Sequence, residues 1–199
     1  MTYRRAIFAI VLAAAAASTP VQAELYVIDK TATYVGFSWN HLGLTNQYGR
    51  FNDVSGTVNF NPAKPEDGSV EVTINTGSVQ TGVDALDKHL RTSDFFDSAN
   101  HRTMTFKSNG VQKSGDKTGL VTGELTILGI TKPVVLDVTW VFTGDHPLGA
   151  INAAYKGKTV SAFTARALIK RSDWGMTRAA PLMSDEIEIT IESEMILKN

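Results

Sequence analysis

Residues 134–142 read VVLDVTWVF. The apolar residues of this stretch recur at every second position, and Asp137 and Thr139 lie between them. Strict alternation is the period of a β-strand that has one face in the core and the other in solvent. The stretch therefore predicts a strand whose inner face carries Val134, Leu136, Val138, Trp140 and Phe142.

The same alternation recurs along most of the chain. It predicts further strands over residues 34–41, 56–61, 69–75, 103–108, 120–130, 159–171 and 186–198. Residues 44–51 allow an irregular turn and the start of another strand. Clusters of turn-forming residues predict turns at Asn61-Pro62, Asn109-Gly110, Ser114-Gly115-Asp116 and Thr131-Lys132-Pro133.

One segment breaks the two-residue period. Leu86 and Leu90 are four positions apart, which places both on one face of a helix. Asp84 is a candidate N-cap residue for that helix, and Phe95 and Phe96 follow it. The sequence thus predicts one short helical segment near residues 84–97 among about eight strands.

Eight antiparallel strands in a chain of 199 residues predict an all-β domain. Closure into a barrel would remove the open sheet edges, and an eight-stranded barrel has room for one small ligand. A two-sheet sandwich would show the same alternation. Periodicity leaves both architectures open.

The N-terminus has the layout of an export signal. Arg4 and Arg5 precede an uncharged apolar run over residues 6–17, and small residues lead up to Ala23. The run is shorter than the about 20 residues needed to span a bilayer. We expect a cleavable signal peptide over residues 1–23, cut near Ala23, and a single domain over residues 24–199.

Composition and motifs give little support to catalysis. The chain has no cysteine, and its 19 basic and 20 acidic residues provide no basic surface for nucleic acid. Ser38 lacks the Gly-x-Ser-x-Gly context of a nucleophile, and Gly157-Lys158-Thr159 lacks the first glycine of a phosphate-binding loop. No metal-ligand spacing relates His41, His89, His101 and His146. We therefore predict no enzyme, no metal and no cofactor.

The aromatic residues fall on the side that each strand makes apolar. They are Phe37, Trp39, Phe51, Phe60, Phe106, Trp140, Phe142 and Phe163. Such a set can form a packed core. It can equally line a barrel interior that takes an apolar guest, because ligand pockets are mostly apolar with few polar groups.

Five segments together resemble the YceI family of periplasmic lipid-binding proteins. They are residues 37–41 (FSWNH), 49–51 (GRF), 89–97 (HLRTSDFFD), 123–134 (GELTILGITKPV) and 171–175 (RSDWG). The resemblance runs from about Tyr26 to Leu197. It departs from the family pattern at His101-Arg102, where an aromatic-Pro pair is usual, and at Trp174, where Phe is usual.

The resemblance implies an extended, eight-stranded antiparallel lipocalin-like barrel in the periplasm, with a polyisoprenoid or similar amphiphilic lipid along its axis. It implies no defined catalytic activity and allows a homodimer. The ligand-contacting residues expected on this basis are Phe37, Trp39, His41, Arg50, Phe51, Phe60, Leu86, Leu90, Phe96, Phe106, Ile127, Trp140, Phe142, Phe163 and Ile169.

Within that expectation, His41, Arg50, His89 and Arg91 are candidates for contact with a polar head group. Arg171 is expected to tie down one end of the barrel by hydrogen bonds. Two other classes of function stay open. One is an enzyme acting on a lipid, or an accessory to a quinone-linked redox or envelope-stress process. The other is a structural or adhesion module with a filled β-sandwich core.

Overall fold

The computed structural model describes residues 23–198, which form ten β-strands and one α-helix. The strands are β1 (Glu24–His41), β2 (Thr45–Phe51), β3 (Val54–Phe60), β4 (Ser69–Asn75), β5 (Val79–Gln80), β6 (Thr103–Lys113), β7 (Thr118–Ile127), β8 (Ile130–Asp145), β9 (Thr159–Lys170) and β10 (Met183–Leu197). The helix α1 spans Asp84–Leu90. The predicted signal peptide lies almost wholly outside the described residues. No helix within 23–198 is long and apolar enough to cross a bilayer.

Eight of the strands close into an antiparallel barrel, which confirms the predicted fold. Neighbours run in the order β10-β9-β8-β7-β6-β4-β3-β1, and β10 pairs with β1 to complete the circle. Closure gives these strands a partner on each side, which satisfies backbone groups that an open sheet would expose at its edges. Strands β2 and β5 are additional: β1 pairs with β3 along its first part and with β2 along its second.

An irregularity in β8 reverses the predicted orientation of one aromatic residue. Trp140 lies opposite Phe163 on β9, whereas Phe142 lies opposite Ala162, so Val141 is an extra residue in the ladder. An extra residue shifts the alternation by one position and turns the following side chains to the other face. The predicted inward orientation of Phe142 is therefore wrong, and its side chain is 42% exposed.

Two of the predicted turns are also wrong. Strand β6 continues through Asn109-Gly110, and the ladder with β7 absorbs the pair as an irregularity between Ser108 and Gly110. The turn before β8 falls at Leu128-Gly129, where both residues have left-handed φ values of 52° and 74°. Two consecutive left-handed residues match the twist of a tight hairpin. The predicted turn at residues 131–133 is instead the start of β8.

The helix is present where predicted, but its first turn is stabilised differently. Val83 occupies the N-cap position, and no side chain caps the helix there. Instead, the carboxylate of Asp87 accepts hydrogen bonds from the backbone N–H and the hydroxyl of Thr81, both at 2.7 Å. The prediction that Asp84 caps the helix is therefore wrong. The Asp87 contact fixes the helix against the turn that precedes it.

The long β8–β9 connection is fastened to a bulge in β1. His146 is buried and stacks on Tyr155 with ring centroids 4.0 Å apart. The Tyr155 hydroxyl donates to Asp29 Oδ2 at 3.2 Å, and Thr31 donates to Oδ1 through its N–H and its hydroxyl. Burial alone would raise the pKa of Asp29, but these hydrogen bonds, with a charge contribution from His146, outweigh burial and lower it.

Replacing Asp29 with asparagine is expected to lower the free energy of unfolding by about 1 kcal/mol at pH 7. A lowered folded-state pKa gives stability that is present above the unfolded pKa and lost as pH falls through the folded value. The difference between wild type and Asp29→Asn should therefore shrink below about pH 4. Urea denaturation at several pH values measures it, with the exposed Asp137→Asn as control. A difference independent of pH would contradict the prediction.

Candidate functional site

The inner faces of the barrel strands enclose a cavity of ≈ 280 Å³. Its wall is almost entirely aliphatic and aromatic, because the alternation of each strand turns its apolar residues inward. Ile187, Ile189 and Ile191 from β10 face it along one wall, and Val134, Leu136 and Val138 from β8 line it as well. The barrel interior is thus a hydrophobic chamber rather than a fully packed core.

Most of the residues expected to contact a ligand do line this cavity. They are Phe37, Trp39, Phe51, Phe60, Leu90, Phe96, Phe106, Ile127, Trp140, Phe163 and Ile169. These side chains come from distant parts of the sequence, and only closure of the sheet brings them together. Whether each touches a guest stays a prediction.

Four of the expected residues lie away from the cavity wall. Phe142 points outward because of the bulge at Val141. Arg50 is exposed because it alternates with Gly49 and Phe51, both of which are buried. His41 is exposed at the end of β1, after a register shift against β10. Leu86 packs against the core from α1 without lining the chamber.

Helix α1 and the residues after it close one end of the chamber. Leu90, Phe95 and Phe96 are buried there and line the cavity. Phe96 contacts Phe51 edge to face, with ring centroids 5.2 Å apart, and Phe37 in the same way at 6.2 Å. This geometry is favourable for aromatic pairs beyond simple burial. The aromatic residues that follow the predicted helix therefore form a plug.

Arg171 fastens the same end, as the sequence predicts. It is only 4% exposed. Its Nε donates to the carbonyl of Ser184 at 2.9 Å, and Nη1 donates to those of Met176 and Arg178 at 2.6 and 2.8 Å. Nη2 donates to the carbonyl of Met183 at 3.2 Å. One guanidinium thus joins the segment after β9 to the start of β10.

The candidate head-group residues at this end are engaged in other contacts. Arg91 donates to the carbonyls of Gly77 and Val79, at 2.9 and 2.8 Å. His89 pairs with Asp94 on the surface, with Nε2 and Oδ2 3.0 Å apart. Neither side chain lines the cavity. The end that these residues occupy is closed by apolar side chains.

The cavity reaches solvent at the opposite end. The lining residues that are exposed all belong to the β3–β4 connection or to the β6–β7 hairpin; they are Pro62, Lys113, Asp116, Lys117 and Thr118. We call this opening, bounded by those five residues, the mouth. The predicted turn at Ser114-Gly115-Asp116, with a lysine on each side, is the one local signal for this opening, but nothing in the pattern connects that turn to a cavity.

An aromatic cluster lies just inside the mouth. Phe60 contacts Trp140 and Phe163 edge to face, with ring centroids 5.4 and 5.0 Å apart. The Trp140 indole N–H donates to the hydroxyl of Thr143 at 2.9 Å, which fixes the ring. The Lys117 ammonium lies 5.2 Å from the centroid of that ring. The mouth therefore places the positive charge of Lys117 directly beside the aromatic wall of the cavity.

The remaining chemistry of the described residues is limited. Residues 23–198 contain no group of three or more His, Cys, Asp and Glu side chains placed to hold a metal ion. The fully buried Tyr26 donates to Glu24 at 2.8 Å, and burial followed by this contact raises the pKa of its phenol above the ordinary range. Tyr26 does not line the cavity.

A closed antiparallel barrel around an apolar chamber places the protein in the class of β-barrels whose interior has room for a small ligand. The chain belongs to the YceI family, because residues 26–195 match the family described as YceI-like domain. It is 35% identical to a UPF0312 protein of Ectopseudomonas mendocina over 97% of this chain and 98% of that one. It is 38% identical to Protein YceI of Escherichia coli O6:H1 over 85% of each.

Solved structures agree with this membership. Burkholderia cenocepacia BcnA superposes with a TM-score of 0.73 at 25% identity, over 84% of this chain and 98% of BcnA. A polyisoprenoid binding domain from Saccharophagus degradans, implicated in plant cell wall breakdown, superposes with a TM-score of 0.59 over 89% of this chain and all (100%) of that domain. At 15% identity, the second likeness concerns the fold alone.

Proposed function

We propose that this protein is a periplasmic binding or carrier protein that holds a long apolar isoprenoid or similar amphiphilic lipid in the barrel. The observation that carries the proposal is the apolar chamber of ≈ 280 Å³, open at the mouth and plugged at the other end. Side chains from every strand of the barrel face it. A filled β-sandwich, the structural alternative, has no such chamber.

The driving force for binding is burial of the guest's hydrocarbon. Each methylene that leaves water contributes about 0.8 kcal/mol. The wall offers few polar groups to read the shape of the tail, so we expect tails of similar length and width to compete with one another. Discrimination then falls to the polar end of the guest, as it does in apolar pockets generally.

One further observation and one prediction from the sequence support the proposal. The Saccharophagus domain that shares this fold is described as polyisoprenoid-binding, which is a precedent for such a guest in this architecture. The export signal predicted over residues 1–23 is the reason for proposing a periplasmic location. Catalysis is less well supported, because among residues 23–198 the cavity wall brings no serine or threonine hydroxyl together with a histidine.

Native mass spectrometry of protein purified without detergent tests the proposal. We expect an added mass that corresponds to about one amphiphile for each chain and disappears after organic extraction. Extracted protein should regain that mass when a long isoprenoid alcohol is added. Protein that carries no lipid, and also fails to bind the added isoprenoid, would rule out the carrier function.

A further inference from the structure

The mouth carries two lysines that form no salt bridge with the described residues. Lys113 ends β6 and Lys117 precedes β7, so the two lysines lie on either side of the hairpin turn. Asp116 is the acidic residue among the five that bound the mouth. Within the described part of the chain, no carboxylate oxygen lies within 4.0 Å of either ammonium. Both lysines therefore lack a salt-bridge partner.

Lys117 is held in place without being neutralised. Its Nζ donates to the carbonyl of Val141 at 3.2 Å and lies over the face of Trp140. Both contacts attract a cation but leave its net charge uncompensated. Trp140 is itself part of the cavity wall. The ammonium is thus fixed where a hydrocarbon tail inside the barrel would join a head group outside it.

Away from the mouth, the buried indole N–H of Trp39 has no hydrogen-bond partner among the described residues, whereas the cation and the paired hydroxyls of the cavity wall are already engaged. Arg171, at the plugged end, donates to four backbone carbonyls. The hydroxyls of Thr33 and Ser193 hydrogen-bond to each other at 3.0 Å. An anionic group placed deep in the chamber would therefore lose water without gaining a cation free to pair with it. At the mouth it would meet two lysines and keep access to solvent.

We propose that the guest enters tail first and carries an anionic head group, a phosphate or a carboxylate, which Lys113 and Lys117 hold at the mouth. The inference rests on the proposed function and adds the chemical class of the ligand. Asp116, which also bounds the mouth, repels the anion. Removing the lysine charges should therefore weaken binding of the anion, and removing the Asp116 charge should strengthen it.

Three probes with one tail and different heads test this: hexadecanol, hexadecanoate and hexadecyl phosphate, each titrated into lipid-extracted protein. We expect both anionic probes to bind the wild type more tightly than the alcohol, with the phosphate tightest because it carries more charge. In Lys113→Gln/Lys117→Gln the anionic probes should bind about three- to tenfold more weakly. The affinity for hexadecanol should stay unchanged.

Two further variants separate charge recognition from a structural effect. Asp116→Asn should tighten the anionic probes by about two- to fivefold and leave hexadecanol unaffected. Lys132→Gln removes an exposed lysine at the plugged end and should change none of the three affinities. The preference for anions should also weaken in 0.5 M salt, because exposed charges are screened.

The outcomes separate the two proposals. Equal affinity of the wild type for all three probes, or an anion preference that survives the double lysine substitution, would overturn the head-group assignment and leave the carrier function intact. Failure of all three probes to bind would overturn the carrier function and the head-group assignment together.

Discussion

Arg171→Met is expected to lower the free energy of unfolding by about 3 kcal/mol or more. Methionine keeps much of the volume but removes every N–H that now satisfies the carbonyls of Met176, Arg178, Met183 and Ser184. Buried carbonyls without donors each carry a desolvation penalty. Urea denaturation followed by tryptophan fluorescence measures the loss.

Arg166→Met is the matched control for this substitution. Arg166 lies on β9, five residues before Arg171, and donates to Thr190 at 2.6 Å, but its side chain is exposed. Water replaces the lost contact there, so we expect a change of no more than about 1 kcal/mol. If the two substitutions were equally mild, Arg171 would not be the fastening that its contacts indicate.

Trp140→Arg is expected to abolish lipid retention while the barrel stays folded. The substitution places a guanidinium on the cavity wall beside Phe60 and Phe163 and next to the Lys117 ammonium. A charge facing hydrocarbon is costly, so the guest and the new side chain exclude each other. Native mass spectrometry and circular dichroism on the same sample measure lipid content and fold.

Phe142→Arg supplies the sharpest control, because it makes the same change two residues further along the same strand. Phe142 is partly exposed on the outer face, so we expect the variant to keep its lipid and its stability to within about 1 kcal/mol. Loss of lipid in both variants, or in Phe142→Arg alone, would contradict the position of the bulge at Val141.

The strands themselves could be predicted from local pattern. The boundaries of β4, Ser69–Asn75, coincide with the predicted ones, and β9 begins at the predicted Thr159. Alternation predicts these strands because each strand has one face in the chamber and the other in water. The polarity of each residue therefore indicates the face on which its side chain lies. The helix at Asp84–Leu90 was recognisable for the same reason, through a different period.

The positions of the polar candidates could not be predicted in this way. Arg91 is by residue type only a candidate for contact with a head group, and in the structure its guanidinium binds two backbone carbonyls. Residue type does not tell whether a cation faces a ligand or satisfies the backbone. That depends on which loop lies next to it, and such neighbours are far apart in sequence.

Local spacing of residues predicts the strand content, the apolar inner faces and the short helix, because each of these depends on residues that are close together in the chain. Alternation does not predict that the sheet closes, that Phe142 turns outward or that the mouth lies at Lys113 and Lys117. Closure and the bulge are properties of pairing between strands. Strand β6 continues to Lys113, but its pairing with β4 ends at Lys107. The barrel is therefore open between these two strands at the mouth, and the pattern of one strand taken alone does not show this.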